Sequence, residues 1–275
     1  MLPFSWRCFV INLERSPERL KTISAQLAAA GIVFRRFAAV DGTTIDPNSF
    51  APFDRGRYEL RHGKLPARAE IGCFMSHIGV MRAFLESDAE HCLVLEDDAV
   101  IGARLGSALF ELERAKQDWD VALLYGNHFG LPLTQRTLGP DHRLVGFFTR
   151  QTGAVAYALN RKAAQVYLMR LLPMSLPIDI DYDRAWDFGI KFRGVVPFPV
   201  TTGAYASDIG LTGRKFPWYR RLGTYACRTA CEVRRVAHYA ARDPIWLRAA
   251  KLQAAQFSAT LTRAAEPLPG FLSPR

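Results

Sequence analysis

The sequence has no long apolar run, no disulfide framework and no internal repeat. No apolar stretch is as long as the roughly 18 residues that a transmembrane helix requires. Residues 1–10 lack the basic region and cleavage site of a signal peptide. The five cysteines are an odd number without disulfide-like spacing. These absences predict a cytosolic protein with reduced thiols. At 275 residues, 49% of them hydrophobic, the chain can bury one sizeable core.

Acidic residues are scarce towards the end of the chain. Residues 211–275 hold 12 lysines and arginines but only 3 aspartates and glutamates, a net charge of +9, whereas residues 1–210 carry a net charge of +1. Aromatic side chains are interspersed among these basic residues. The composition predicts a basic helical tail that docks on an anionic membrane surface. A solvated helical face and a site for single-stranded nucleic acid are the alternatives.

Strand-like and helix-like segments alternate along the rest of the chain. Residues 7–13 predict a buried strand, Ser16 and Pro17 predict the start of a helix, and residues 33–40 predict a second strand. This alternation predicts an α/β sheet whose first two strands are parallel. We place the boundary between this domain (1–210) and the tail (211–275) near residue 210.

Three consecutive acids follow the third predicted strand. The apolar run that begins at His91 ends in Glu96, Asp97 and Asp98. Adjacent carboxylates repel one another unless a cation or hydrogen bonds offset them. Mg²⁺ and Mn²⁺ prefer oxygen ligands, and ligands of open α/β sheets lie at the carboxyl ends of strands. The pattern predicts a metal and a phosphorylated substrate here, with a solvated turn or a helix cap as the alternative.

Other polar residues fit contacts to a nucleotide. Asn12, Arg15 and Arg19 lie where the first strand meets its helix, and a guanidinium pairs well with phosphate. Arg19 could equally be a salt-bridge partner. Ser76 and His77 are predicted to start a helix, whose free N–H groups favour phosphate.

Two histidines allow other interpretations. His77 could be a buried structural residue instead of a phosphate contact. His128, at the end of another predicted strand, is a weaker candidate for a metal ligand.

Six segments in consistent order over residues 7–210 resemble glycosyltransferase family 25, the lipopolysaccharide-type β-glycosyltransferases that also include collagen galactosyltransferases. The resemblance implies a GT-A type, Rossmann-like fold, a nucleotide-sugar donor, Mn²⁺ (or Mg²⁺) as cofactor and inversion at the sugar carbon. The matching segments are residues 10–19 (VINLERSPER), 39–42 (AVDG), 70–77 (EIGCFMSH), 93–98 (LVLEDD), 152–162 and 177–179 (PID).

Within the metal motif at residues 93–98, position along the chain suggests the role of each acid in the triplet. Asp98, with Asp97 next, is the expected metal ligand, because the last acid lies furthest beyond the strand. Glu96 is expected to orient the site or to bind the donor ribose.

A second group of acids is expected to supply the catalytic base. Asp179 matches the family's Pro-Ile-Asp position and is our first choice. Asp181 and Asp183 are alternatives, because alternation along a strand would place all three on one face.

The sequence therefore predicts an inverting, metal-dependent glycosyltransferase. It would move galactose from UDP-galactose, or else glucose, onto a lipid-anchored, lipopolysaccharide-type glycan at the inner face of the cytoplasmic membrane. The alternative enzyme is a metal-dependent nucleotidyl- or phosphotransferase, but we find no GxxxxGK[ST] loop and no second metal-binding motif. A nucleic-acid-binding protein would leave the acid triplet unexplained, so no nucleic-acid partner is expected.

Overall fold

The chain folds around one large β-sheet. A computed structural model describes residues 5–127, 130–203 and 214–265, with the side chains of the last helix described as far as residue 255. The strands are β1 (Trp6–Asn12), β2 (Arg35–Ala38), β3 (His91–Glu96), β4 (Ala99–Ile101), β5 (Val121–Leu123), β6 (Pro132–Leu138), β7 (His142–Phe147), β8 (Ala156–Asn160), β9 (Phe192–Val196) and β10 (Val200–Thr202). The α-helices are α1 (Pro17–Ala29), α2 (Arg55–His62), α3 (Arg68–Leu85), α4 (Leu105–Arg114), α5 (Arg161–Arg170), α6 (Ile178–Asp181), α7 (Leu222–Ala241) and α8 (Ile245–Ala265).

Eight of these strands form a mixed sheet in the order β2-β1-β3-β8-β5-β9-β7-β6. Strands β7 and β8 run against their neighbours, and the other six strands share one direction. The carboxyl ends of β1, β3 and β5 therefore meet at one edge of the sheet, which is where α/β proteins bind ligands. Strands β4 and β10 pair separately as a small antiparallel ribbon.

The alternation of side chains along β1 explains why helices cover both faces of the sheet. Phe9 and Ile11 belong to the core that includes α3 and α5, whereas Cys8 and Val10 belong to the core that includes α1 and α4. Neighbouring residues of a strand point to opposite faces, so a nearly continuous apolar strand requires cover on both sides. The predicted α/β class is confirmed, and β1 and β2 are parallel as expected.

The hairpin of β6 and β7 is not among the strands that the sequence predicts. Strand β6 lies at the edge of the sheet, and most of its residues are at least partly exposed to solvent. An edge strand with little apolar surface gives a weak hydrophobic pattern, which is why this hairpin was missed. Within the described residues, no helix has both the length and the apolar character required to cross a bilayer.

The basic C-terminal segment forms helices that pack on the rest of the chain. Thr224 Oγ1 in α7 donates to the carbonyl oxygen of Leu60 at 2.7 Å. About three turns of α7 further on, Arg235 Nη2 lies 2.6 Å from Asp183 Oδ2, and both side chains are buried. Ile245 at the start of α8 is also buried. The boundary near residue 210 lies outside the described residues, and the division into two domains stays a prediction.

Candidate active site

The acid triplet lies at the carboxyl edge of the sheet, where the sequence placed it. Strand β3 ends at Glu96, which is in register with Ile11 of the parallel strand β1. A cleft of about 940 Å³ opens at this edge. Eight of the predicted site residues line it: Arg15, Arg19, Ser76, His77, Glu96, Asp97, Asp98 and Asp179.

Asp97 is held by two donors from the first strand and helix. Asn12 Nδ2 donates to Asp97 Oδ2 at 2.7 Å, and Arg19 Nη1 lies 3.4 Å from Asp97 Oδ1. Burial raises the pKa of the Asp97 carboxyl, while Asn12 and Arg19 oppose that rise. Asn12 is itself fixed, because its Oδ1 accepts from Arg36 Nε at 2.9 Å. Asn12 therefore acts from just behind the cleft wall, and Asp97 presents an oriented carboxylate.

Asp98 is held differently from Asp97. Its Oδ1 atom is buried and has no hydrogen-bond partner in the part of the chain that the structure describes. Burial, followed by the charges of Glu96 and Asp97, raises the pKa of Asp98 to about 7. A divalent cation would relieve both the repulsion and the unsatisfied oxygen. The donor set therefore fits a hard cation bound mainly through Asp98, with Asp97 beside it.

His77 fixes the first acid of the triplet. Its Nε2 atom lies 3.1 Å from Glu96 Oε1, and its Nδ1 atom lies 2.9 Å from the Tyr157 hydroxyl. His77 and Tyr157 are fully buried, whereas Glu96 reaches the cleft. The imidazole thus links a core tyrosine to a cleft carboxylate, which restricts the orientation of Glu96.

The prediction that Ser76 and His77 start a helix is wrong. Helix α3 begins at Arg68, so both residues lie in its interior, where their backbone N–H groups are bound within the helix. The Ser76 hydroxyl donates to the Gly72 carbonyl at 2.7 Å and accepts from the Val40 N–H at 2.8 Å. Ser76 therefore joins α3 to the loop after β2, and a free helix end cannot be the reason for a phosphate contact here.

The start of α3 could not be recognised in the sequence because Gly72 lies in its second turn. A Cβ atom on Gly72 would lie 2.6 Å from the Val40 carbonyl oxygen. Glycine is required for this close approach of helix and loop, although in a sequence it indicates a helix break.

Asp179 lies in the same cleft as the acid triplet. Burial, and next the charge of Glu96, raises the pKa of Asp179 to about 6, while Arg150 opposes the rise. A base with a pKa close to neutrality is both available and effective for proton transfer. Its position and its pKa suit the predicted role.

Asp181 and Asp183 do not share a face with Asp179, because residues 178–181 form a helical turn and not a strand. Asp181 is buried outside the cleft, 2.8 Å from Arg184 Nη1 and 3.7 Å from Arg61 Nη2. Asp183 is paired with Arg235. The shared strand face that made Asp181 an alternative base is therefore absent, and its pairing with arginines suits a structural role. The alternating acids imitate the period of a strand. Their arginine partners are Arg184, only three residues after Asp181, and the distant Arg61 and Arg235.

Arg15 and Arg19 follow β1 at the other side of the triplet. Arg15 pairs with Asp41 at the exposed rim of the cleft, and Arg19 reaches Asp97. Both predictions for Arg19 are therefore compatible with its position, since it is a salt-bridge partner that also lines the cleft.

Sequence reasoning missed one wall of the cleft. Tyr125 and Asn127 follow β5, Gly153 precedes β8, and Thr202 ends β10. The Tyr125 hydroxyl donates to Asn127. Their positions at strand ends were the available signal, but their side chains carry no charge that would mark a ligand site. His128, the weaker metal candidate, lies outside the described residues.

The fold and the cleft define a class of protein. It is a mixed α/β protein with a ligand site at the carboxyl edge of its sheet, lined by carboxylates and arginines. A family model described as "Glycosyltransferase family 25 (LPS biosynthesis protein)" matches residues 6–182. The chain belongs to glycosyltransferase family 25, as the six sequence segments predicted.

Named relatives match this chain at low identity. Procollagen galactosyltransferase 1-B of Xenopus laevis is 32% identical over 124 residues, covering 42% of this chain and 20% of that protein. Procollagen galactosyltransferase 1 of Danio rerio is 24% identical over 185 residues (62% and 30%). Inactive glycosyltransferase 25 family member 3 of Homo sapiens is 27% identical over 188 residues (63% and 31%).

The chain spans less than a third of the length of these relatives. A crystal structure of A197 from STIV covers 73% of this chain and 86% of its own, with a TM-score of 0.39 and 11% sequence identity. That similarity is too weak to carry an argument.

Proposed function

We propose that this chain is an inverting glycosyltransferase that uses Mn²⁺ or Mg²⁺ and a nucleotide-sugar donor. UDP-galactose is the first choice of donor and UDP-glucose the second. The acceptor is a lipopolysaccharide-type glycan anchored on a lipid. The observation that carries the proposal is the unpartnered, buried oxygen of Asp98 in the same cleft as Asp179.

Asp98 would be the principal residue that holds the cation, with Asp97 second. Asp97 already accepts from Asn12 and Arg19, so it has less freedom to move towards an ion. When bound, a divalent cation neutralises the charge that develops on the departing diphosphate.

Asp179 would act on the acceptor. Its carboxylate takes the proton of the acceptor hydroxyl while that oxygen forms a bond to the anomeric carbon. The bond from the same carbon to the diphosphate oxygen breaks, and its electron pair leaves with the diphosphate. A single displacement from the opposite face inverts the configuration. On the donor side, Arg15 and Arg19 would contact phosphate oxygens, and His77 would keep Glu96 oriented towards the ribose.

The decisive test is release of UDP from UDP-galactose, UDP-glucose and UDP-N-acetylglucosamine, each with Mn²⁺ and with EDTA. Release that depends on Mn²⁺ and is specific for one donor supports the proposal and names the sugar. A relative of this family is named as inactive, so binding of UDP with Mn²⁺ is measured by calorimetry as well. A protein that neither releases nor binds UDP would not be a glycosyltransferase.

The variant Asp179→Asn should lower transfer to an acceptor by about 100-fold, the lower end of the usual contribution of a general base. In the wild type, kcat/KM should rise as the pH increases through about 6, where Asp179 loses its proton, and then level off. The variant should lack this rise. UDP binding should stay unchanged, and a wild-type pH profile in the variant would exclude Asp179 as the base.

The enzyme would dock on the cytoplasmic face of the membrane through an exposed aromatic patch. The patch comprises Trp218, Tyr219, Leu222 and Tyr225, all exposed. Residues 214–225 contain four positively charged side chains and no acid. The four are Arg214, Lys215, Arg220 and Arg221. Aromatic side chains among basic residues suit the interface of an anionic bilayer.

The aromatic patch is attached close to the mouth of the cleft. The N–H of Leu65 donates to the Arg214 carbonyl, and the N–H of Phe216 donates to the Gly63 carbonyl, both at 3.0 Å. The chain then runs from Leu65 to Ala67 on the cleft wall. A membrane bound at the patch would therefore lie near the cleft, which suits an acceptor carried on a lipid.

The double variant Trp218→Ala with Leu222→Ala should bind phosphatidylglycerol vesicles at least about tenfold more weakly, because two apolar anchors are lost. Phe110→Ala, which removes a comparably exposed side chain from α4, is the matched control. Binding of the wild type should also weaken as the salt concentration rises. Equal vesicle binding by all three proteins would exclude the patch as the docking surface.

A further inference from the structure

A group of cations surrounds His62 at the carboxyl end of α2. Arg228 Nη2 in α7 donates to the His62 carbonyl oxygen at 3.0 Å. The side chain of Arg221 packs against the glycine that follows His62, and Lys64 is the next residue. Together with Arg150, whose charge acts on both His62 and Arg228, these residues are called the His62 cluster.

The His62 cluster has no negative partner in the described parts of the chain. No ion pair joins Lys64, Arg150, Arg221 or Arg228 to a carboxylate there. Both ring nitrogens of His62 and the Nε atom of Arg221 are buried without a hydrogen-bond partner. Burial, and then the charges of Lys64, Arg228 and Arg150, lower the pKa of His62 to about 3. Arg228 has the His62 carbonyl and Arg221 has the Tyr225 ring as neighbours, but neither carries a negative charge. Cations that lack a carboxylate partner, beside unsatisfied nitrogens, are the features of an anion site.

One member of the cluster, Arg150, connects it to the expected catalytic base. The charge of Arg150 acts on Asp179, where it opposes the rise in pKa that burial causes. The adjacent residue, Gln151, donates its backbone N–H to Asp183 at 3.3 Å, four residues beyond Asp179. Lys64 is three residues before Ala67, which lines the cleft. The donor phosphates, in contrast, are expected at Arg15 and Arg19, which follow β1.

We infer that the His62 cluster binds a phosphate or carboxylate group of the acceptor, so that the enzyme acts on an anionic glycan. The inference rests on the proposed function, because it assigns the acceptor of that same site. Arginine guanidinium groups suit such ligands, since they donate in pairs to phosphate and carboxylate oxygens. The anion would hold the acceptor while Asp179 meets its hydroxyl.

The experiment compares glucose 6-phosphate with glucose as probes. Each is titrated calorimetrically into protein that already holds UDP and Mn²⁺, so that the donor site is filled. Wild-type protein should bind glucose 6-phosphate at least about tenfold more tightly than glucose, as a charge-assisted contact implies. The double variant Arg150→Gln with Arg228→Gln should lose this preference.

The matched control is Arg242→Gln, which removes an exposed arginine just after the end of α7, about 21 Å from Arg228 along the helix axis, and should keep the preference. Thermal unfolding of each variant checks that the fold is retained. Equal binding of the two probes by the wild type, or a preference that survives in the double variant, would overturn the inference.

Two further measurements distinguish a glycan anion from a lipid headgroup, and failure of the inference from failure of the proposed function. Loss of the sugar-phosphate preference with unchanged binding to phosphatidylglycerol vesicles supports a glycan anion. Loss of vesicle binding without any sugar-phosphate preference would show that the cluster contacts a lipid headgroup, and the inference would fail. If UDP does not bind, the proposed function fails, whereas the titration without UDP still tests the cluster.

Discussion

Replacing Asp98 by asparagine should lower metal-dependent sugar transfer by at least about 1,000-fold. A cation that stabilises a developing diphosphate contributes several kcal/mol to the transition state, and about 4 kcal/mol corresponds to that factor. An amide cannot replace the carboxylate, because it has one oxygen and no charge. Binding of Mn²⁺, measured by calorimetry, should weaken together with the rate.

The same variant should fold normally without metal. In the metal-free protein, Asp98 carries a buried, unpartnered oxygen between like charges, so asparagine should leave the free energy of unfolding unchanged or increase it. Asp88→Asn, at an exposed acid eight residues before Glu96, is the matched control and should change neither rate nor metal binding. Full transfer by Asp98→Asn in EDTA would exclude the metal site.

The second large effect is expected from Arg235→Ala, which should destabilise the protein by about 3–5 kcal/mol. Arg235 and Asp183 are both buried, and their side chains pair at 2.6 Å. Burial raises the pKa of Asp183, and Arg235 opposes that rise. Removing the guanidinium leaves the carboxylate without its main counter-charge. Urea unfolding measures the loss of unfolding free energy, provided that the m-value is the same for the variant and the wild type.

The neighbouring arginine provides the control for this prediction. Arg234 is exposed and pairs with Asp187 at the surface, so Arg234→Ala should cost less than about 1 kcal/mol. The double variant Asp183→Asn with Arg235→Met should recover most of the stability, because neither member of the buried pair is then charged. A change below about 1 kcal/mol for Arg235→Ala would show that α7 contributes little to the fold. If the prediction holds, the membrane patch must be tested by point variants, because deleting α7 would also destabilise the body.

The parts of the fold that could be predicted have strong local patterns. The apolar runs of β1 and β3 and the Ser16-Pro17 helix start identified the parallel core of the sheet. Strand β6 could not be predicted in the same way, because an edge strand needs few apolar residues. The start of α3 was also missed, because Gly72 serves the close packing of a loop.

Local sequence patterns also predict only part of the candidate site. The acid triplet could be placed because strand direction alone brings Glu96 and Asp97 next to β1. Choosing among Asp179, Asp181 and Asp183 required knowledge of partners such as Arg61 and Arg235, which lie far away in sequence. No local pattern records those pairings. The His62 cluster was missed for the same reason, since its members come from three separate segments.

The pairing of Asp183 with Arg235 also sets an order of events during protein synthesis. The two residues are 52 positions apart, so a ribosome that adds about 5–20 residues per second makes the arginine about 3–10 s after the aspartate. During that interval the nascent sheet carries an acid whose counter-charge does not yet exist. The body therefore completes its folding only after α7 has emerged, and a slowly translated message prolongs the stage at which the chain is open to proteases and chaperones.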